Sequence, residues 1–140
     1  MYSVSDKYKA AMKQPVQRFR MTGKIGSVDF DDDNILAGSF SITNQCSDGS
    51  NVQIGQVYIG ELDATFMNVG VGRYDWKEKQ IVPSFGLLLQ DGNYENIPLG
   101  IFTINSAKYT TSGVVVKAYD NMTKLDKTCS LSQINGTVFD

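Results

Sequence analysis

The sequence predicts a mainly β, antiparallel domain: a β-barrel or closed sandwich of about six strands, with short helices near the N- and C-termini. Three observations carry that expectation. Apolar residues alternate with period two along most of the 140 residues. The alternating segments are joined by hairpin-length turns, and Asp91-Gly92 is the strongest of these. Helical spacing is confined to short stretches near the two ends.

Taken in order, Val4, Tyr8, Ala11 and Met12 fall at i, i+4, i+7 and i+8. Residues 4–13 therefore read as an amphipathic helix of about three turns, capped by Ser3 or Ser5 and stopped by Pro15. A helix this short is marginal alone and must dock on something. From Val16 the period becomes two, with Phe19, Met21 and Ile25 on one face and Arg18, Arg20, Thr22 and Lys24 on the other. The acidic run Asp29-Phe30-Asp31-Asp32-Asp33-Asn34 ends this strand. A strand over 35–45 places Leu36, Phe40 and Ile42 on one face, and Ser47-Asp48-Gly49-Ser50-Asn51 is turn chemistry.

Residues 52–66 are β-patterned, but the phase slips: Val57 and Ile59 are odd, whereas Leu62, Ala64 and Phe66 are even. Gly60 sits at the slip and predicts a bulge that curls the sheet. Residues 68–80 read as an exposed loop or protruding hairpin. Strands 81–90, 94–108 and 114–119 follow, and Asp120 or Asn121 caps a helical segment with Met122 and Leu125 inward.

Composition narrows the function. One domain spans 1–140, with ordinary globular values of 41% apolar and 20% charged residues. A net charge of −2 gives no reason to expect specific nucleic-acid binding. No apolar run approaches the roughly 18 residues a membrane span needs, and the N-terminus lacks the pattern of a secretory signal. Cys46 and Cys129 read as free thiols of a reducing compartment, with a single bridge as the alternative. The chain has no histidine, which removes imidazole-based hydrolases and His-bearing zinc sites. At the C-terminus, Asn135-Gly136 reads as a helix stop and Thr137 as a fresh N-cap, so the chain is expected to be the N-terminal part of a longer protein.

The candidate chemistry is thin, and no catalytic, cofactor-binding or metal-ligating residue is expected. Alternate aspartates at 29, 31 and 33 have the rhythm of a calcium loop, but Asn34 replaces the required glycine and Phe40 the bidentate glutamate. A solvated turn fits better. Gly70-Val71-Gly72 lacks the third glycine of a phosphate loop. Asp63, Asp75, Glu78 and Glu95 are the acids that a glycosidase pair would use, if two converged. Arg18, Arg20 and Lys24 lack an aromatic platform for nucleic acid, which leaves a solvated strand face or a salt-bridged subunit contact. Arg73, Tyr74 and Trp76 are of the types most enriched at interface hot spots. Trp76 either folds back to cap the barrel end or enters a contact between subunits. The expected interface set is thus Arg73, Tyr74, Trp76, Arg18 and Arg20.

Longer motifs point to a family. Trp76-Lys77-x-Lys79-x-Ile81-x-Pro83, Asp91-Gly92-x-Tyr94-Glu95-x-Ile97-Pro98-Leu99-Gly100-Ile101-Phe102 and Val114-x-Val116-x-Ala118-Tyr119-Asp120-x-Met122-x-x-Leu125-Asp126 are the main ones. Together with the opening Lys9-Ala10-Ala11-Met12-x-x-Pro15-Val16-x-x-Phe19-x-x-Thr22-Gly23, they resemble the N-terminal region of tail-hub proteins, the tail-tip and baseplate-hub group of phages and prophages of Gram-positive bacteria. The resemblance implies a non-enzymatic virion structural protein. Its hub domain would oligomerise, typically as a trimer, at the end of the tail tube. Distal-tail and tape-measure proteins would be its partners, and it would reside in the virion tail after assembly in the host cytoplasm. A hexameric distal-tail ring protein is the near alternative, and a monomeric carbohydrate-binding module the more distant one.

Overall fold

A computed structural model describes residues 2–44, 58–72 and 75–125. The order is one helix, α1 (Asp6–Ala11), followed by eight strands: β1 (Phe19–Ile25), β2 (Val28–Asp31), β3 (Ser41–Thr43), β4 (Glu61–Phe66), β5 (Gln80–Leu88), β6 (Tyr94–Pro98), β7 (Phe102–Thr110) and β8 (Gly113–Asp120). All pairings are antiparallel, in the order β2-β1-β5-β7-β8-β4-β3, with β6 also on β5. The mainly β, antiparallel class is as the sequence predicts.

The closed barrel is not. Among the described residues no ladder joins β2 to β3, so the sheet is open, and it has eight strands where about six were expected. The reason is local. Asp31 caps a single 3-10 turn, Asp32–Asn34, by accepting from the Asp33 amide at 3.1 Å, and Asn34 returns a contact to the Asp31 amide at 3.2 Å. This ends β2 after four residues and turns the chain across to the far end of the sheet. There Met67 N donates to Asn34 O at 2.8 Å and Leu36 N donates to Thr65 O at 2.9 Å. The acidic run is therefore part strand and part turn.

That crossing also corrects the facing of the next segment. Ile35, bridged to Phe66, packs on the core together with Phe40 and Ile42, whereas Leu36 does not. A turn at Gly38, whose φ is +76°, resets the phase between odd and even positions.

Curvature enters elsewhere than expected. Pairing of β4 with β8 is regular from Glu61 to Phe66, and Gly60 lies outside the strand. Gly60 is instead a close approach: a Cβ there would stand 2.6 Å from Asn44 Oδ1 and 2.8 Å from Asp120 Oδ2. The irregularities are in the later strands. β6 and β7 share one edge of β5, but Ile81 to Ser84 is three steps on β5, against four from Phe102 back to Pro98. One extra residue is thus inserted around Gly100, whose φ is +131°, and it splits the single strand expected over 94–108. A second register shift falls between Ile104 and Ser106.

The curled sheet encloses a core of Ile25, Phe30, Leu62, Ala64, Phe66, Trp76, Ile81, Phe102, Ile104, Val114, Val116 and Ala118. Phe30 of β2 meets Phe66 of β4 edge-on at 5.1 Å between centroids, so the two ends of the sheet touch through side chains. A smaller cluster holds α1: Tyr8 and Ala11 pack on Leu87, with Val4, Leu89 and Ile97 around them. The helix is shorter than predicted, and Ser5 is its cap, accepting from the Tyr8 amide at 3.1 Å. Asp120 caps the last 3-10 turn as expected, through the Met122 amide at 2.9 Å. Met122 and Leu125, expected to face inward, are exposed on that single turn, which extends past the end of β8. The turn at 47–51, residues 52–57, both cysteines and the tail from 126 lie outside the described residues.

Gly23 is the tightest contact in β1. A Cβ there would stand 2.5 Å from Val82 O and 2.6 Å from Phe30 Cζ, and the backbone oxygen cannot yield. Gly23→Ala is expected to destabilise the fold by about 1–3 kcal/mol through overpacking, read as a fall in thermal midpoint. An unchanged midpoint would show that β2 is not held against β1 as described.

Candidate functional site

The residues singled out by sequence separate into three groups. Trp76 is in the core: it is 3% exposed, its ring lies 5.9 Å from that of Phe66, and its indole N–H donates to the Tyr109 hydroxyl at 3.0 Å. The indole thus folds back onto the core of an open sheet, where the sequence had offered the end of a closed barrel or a subunit contact. Val69 and Val71 of the same loop also pack on the core. Sequence reads this loop as exposed because it lacks a period, and burial of isolated residues in an aperiodic loop has no sequence signature. Arg73 and Tyr74 fall outside the described residues.

Asp63 and Glu95 do not converge. Asp63 is on β4 and Glu95 on β6, with β8, β7 and β5 between them. Asp75 and Glu78 are exposed in the 75–79 loop. Asp63 instead belongs to a cross-strand charge cluster, opposite Lys117 in register. Lys117 pairs with Glu61 and lies 3.9 Å from Asp63. The hydrogen bond from Lys117 holds Glu61 below the usual carboxylate range, and the same bond raises the lysine. Partial burial, the largest influence on Asp63, pushes it up.

Glu95 has a mechanical role. Its carboxylate accepts from the Ser5 amide at 2.9 Å and from the Ser5 hydroxyl, and Lys7 reaches Asp91 at 3.0 Å. These two contacts fasten α1 to the β5–β6 hairpin. The Ser5 hydroxyl lowers Glu95, and the Lys7 ammonium lowers Asp91. Arg18 lies at the helix end of this region: its carbonyl accepts from Leu88 N at 2.9 Å, and its side chain is exposed beside Val16.

Arg20 is the residue that organises a site. It faces Gly86 in register across β5, and Gly86 in turn faces Asn96 of β6. With no side chain at Gly86, Arg20 crosses β5; a Cβ there would be 3.2 Å from Arg20 Cγ and 2.4 Å from Asn96 Oδ1. The guanidinium ends 3.9 Å above the Tyr94 ring centroid. Its Nε is out of solvent and has no hydrogen-bond partner, which ordinarily costs about 1–3 kcal/mol. Beside it, a groove of about 610 Å³ runs over β1, β2 and β5, lined by Arg20, Thr22, Lys24, Asp29, Asp31 and Ser84 among others. Lys24 is already paired with Asp29 at 3.0 Å. Sequence placed Arg20 on the polar face, but the notch at Gly86 and the Tyr94 stack depend on strands distant in the chain.

No cluster of three or more metal-ligating side chains occurs among the described residues, and no helix there is long and apolar enough to cross a membrane. Compared with known proteins, the chain matches no family model, no curated protein and no solved structure.

Trp76→Ala is expected to cost about 3–5 kcal/mol of stability, as removal of a buried Trp does, measured by chemical denaturation. A loss under about 1 kcal/mol would place the indole outside the core. Acid should release α1 before the sheet melts. Both fastening carboxylates have lowered pKa values, so their contribution is complete above the ordinary value of 4.5 for Glu95 and fades as pH falls through the folded-state values. Hydrogen exchange at the Tyr8 amide should therefore rise below that pH in the native chain. Glu95→Gln should show the same rise already at neutral pH, and equal protection in both at every pH would break the assignment.

Proposed function

We propose that this chain is a structural subunit of a phage or phage-like tail tip, which associates with its own copies, as a trimer, to form the hub at the end of the tail tube. The observation that carries the reading is the place of the family-like motifs in the fold. Residues 76–125 build one continuous unit, β5 to β8 plus the cap after it, and the motif residues there have structural roles. Trp76, Ile81, Pro83 and Phe102 are buried, Gly92 and Gly100 take positive φ at a turn and a bulge, and Asp120 caps the final turn. Residues in such roles suit a structural building block.

The surface supplies a second support. Phe19 is 41% exposed and stacks on half-buried Phe85 at 4.9 Å, while Val16 and Met12, nearby in sequence, are 73% and 44% exposed. Apolar and aromatic groups of this size on a surface suit a protein contact. The carbohydrate-module alternative loses ground, since the chain's single tryptophan is buried and cannot stack on a sugar.

Light-scattering mass measurement on the chain should give a trimer, and Phe19→Asp should shift it toward monomer without lowering the thermal midpoint by more than a few degrees. A hexamer would favour the distal-tail ring. A monomer at all concentrations, with glycan binding, would overturn the structural reading in favour of the carbohydrate module.

A further inference from the structure

We propose that α1 is a releasable strap across one apolar strip on the inner face of β1, β5 and β6, hiding the half at Leu87, Leu89 and Ile97 and leaving the half at Phe19 and Phe85 open. That the uncovered strip meets a second copy of this chain rests on the assembly reading; the covering itself rests on the geometry alone.

Strand register makes the strip continuous. Residues directly opposite in an antiparallel pair share a face. Phe19 stands opposite Leu87, and Phe85 stands opposite Ile97, so the four form one patch over three adjacent strands. Leu89 extends it two residues past Leu87, with its amide on Asn93 O at 2.8 Å. Tyr8 and Ala11 of α1 lie on Leu87, with Leu89 and Ile97 packed around them, and Leu87 is fully buried. Phe19, its direct neighbour across the ladder, is half-exposed and stacked on Phe85. The helix therefore covers the strip only in part.

The cover is held lightly. Tyr8 and Ala11 are the only buried residues of α1. The polar fastenings, Ser5 on Glu95 and Lys7 on Asp91, both lie toward its N-terminal end and are exposed, where water and salt screen them. At the other end, the hydrogen bonds described for residues 12–17 stay within residues 8–17. The Met12, Lys13 and Gln14 amides reach back to α1, and the Gln17 side chain donates to Met12 O and Gln14 O. The chain bonds to the sheet again at Arg18, whose carbonyl accepts from Leu88 N. Exposed residues 12–17 are thus a hinge between that fixed point and a six-residue helix. A helix so short does not persist alone, so releasing the strap also unfolds it, as a local opening that leaves the sheet intact.

The test uses the whole chain at neutral pH, below the concentration at which light scattering detects association. Lys7→Ala/Glu95→Ala removes both fastenings and should speed hydrogen exchange at the Tyr8 amide about ten-fold or more. Binding of Nile red, an uncharged reporter of exposed apolar surface, should rise at least about two-fold, while the thermal midpoint of the sheet falls by no more than a few degrees. Adding Phe19→Asp, opposite Leu87, should remove most of that rise, which two separate patches would not show. Lys7→Ala alone should give a smaller change in the same direction, and it carries the test if the double variant loses the sheet. Faster exchange with no added dye, a dye gain that Phe19→Asp leaves intact, or unchanged exchange in both variants each overturns the proposal. A dye gain in a chain that stays monomeric at every concentration retains the strap and removes the assembly reading; a trimer with no dye gain does the reverse.

Discussion

The structure depends on how β5 divides its two edges. One edge pairs with β1 from Phe19↔Leu87 to Ile25↔Ile81, and the other serves β7 at Gln80 and Ile81 and β6 from Ser84 to Leu88. Pro83 sits at the changeover, fully buried, in what is otherwise a central strand. A proline normally argues against such a position, because it has no N–H to give the ladder. Here the Pro83 carbonyl accepts from Leu99 N at 2.9 Å, and the carbonyl and nitrogen of one strand residue point to the same edge. The missing donor therefore falls where the partner strand is interrupted by the bulge at Gly100, and no bond to β1 is lost. Proline and bulge are two halves of one device.

Two consequences follow from that bend. The upper part of β5 belongs to the main core with Ile81, and the lower part belongs to the small cluster with Leu87, where α1 docks. Buried area there is small, since Tyr8 and Ala11 are the only helix residues in it, so the polar fastenings from Ser5 and Lys7 carry more weight than surface contacts usually do. The opposite face of the same strand carries Gly86, which makes the notch crossed by Arg20. One strand thus positions the core, the docked helix and the Arg20 side chain over Tyr94.

The two faces of β1 differ in character. Its odd residues point inward, ending in the partly exposed Phe19–Phe85 stack, and its even residues present Arg20, Thr22 and Lys24 outward. One face of the strand is therefore apolar, and the other carries charges of both signs, with Lys24 paired to Asp29.

Much of this was legible in the chain. Period-two alternation gave the antiparallel class, Asp91-Gly92 the β5–β6 turn with Gly92 at φ +81°, and Ser5 and Asp120 the caps, because each is a short-range relation between neighbouring residues. Ladder closure, the burial of Trp76, the place of the bulges and the outward turn of Met122 and Leu125 were not, since each depends on strands far apart in sequence. Among the site candidates, sequence put Arg20 on a polar face but could not supply Tyr94 beneath it or Gly86 in its path. By itself the sequence determined which residues alternate, where turns fall and how ends are capped. Only the tertiary structure decided which edges pair, where the sheet stays open and which ring Arg20 rests on, because those depend on register between strands that meet only after the chain has folded.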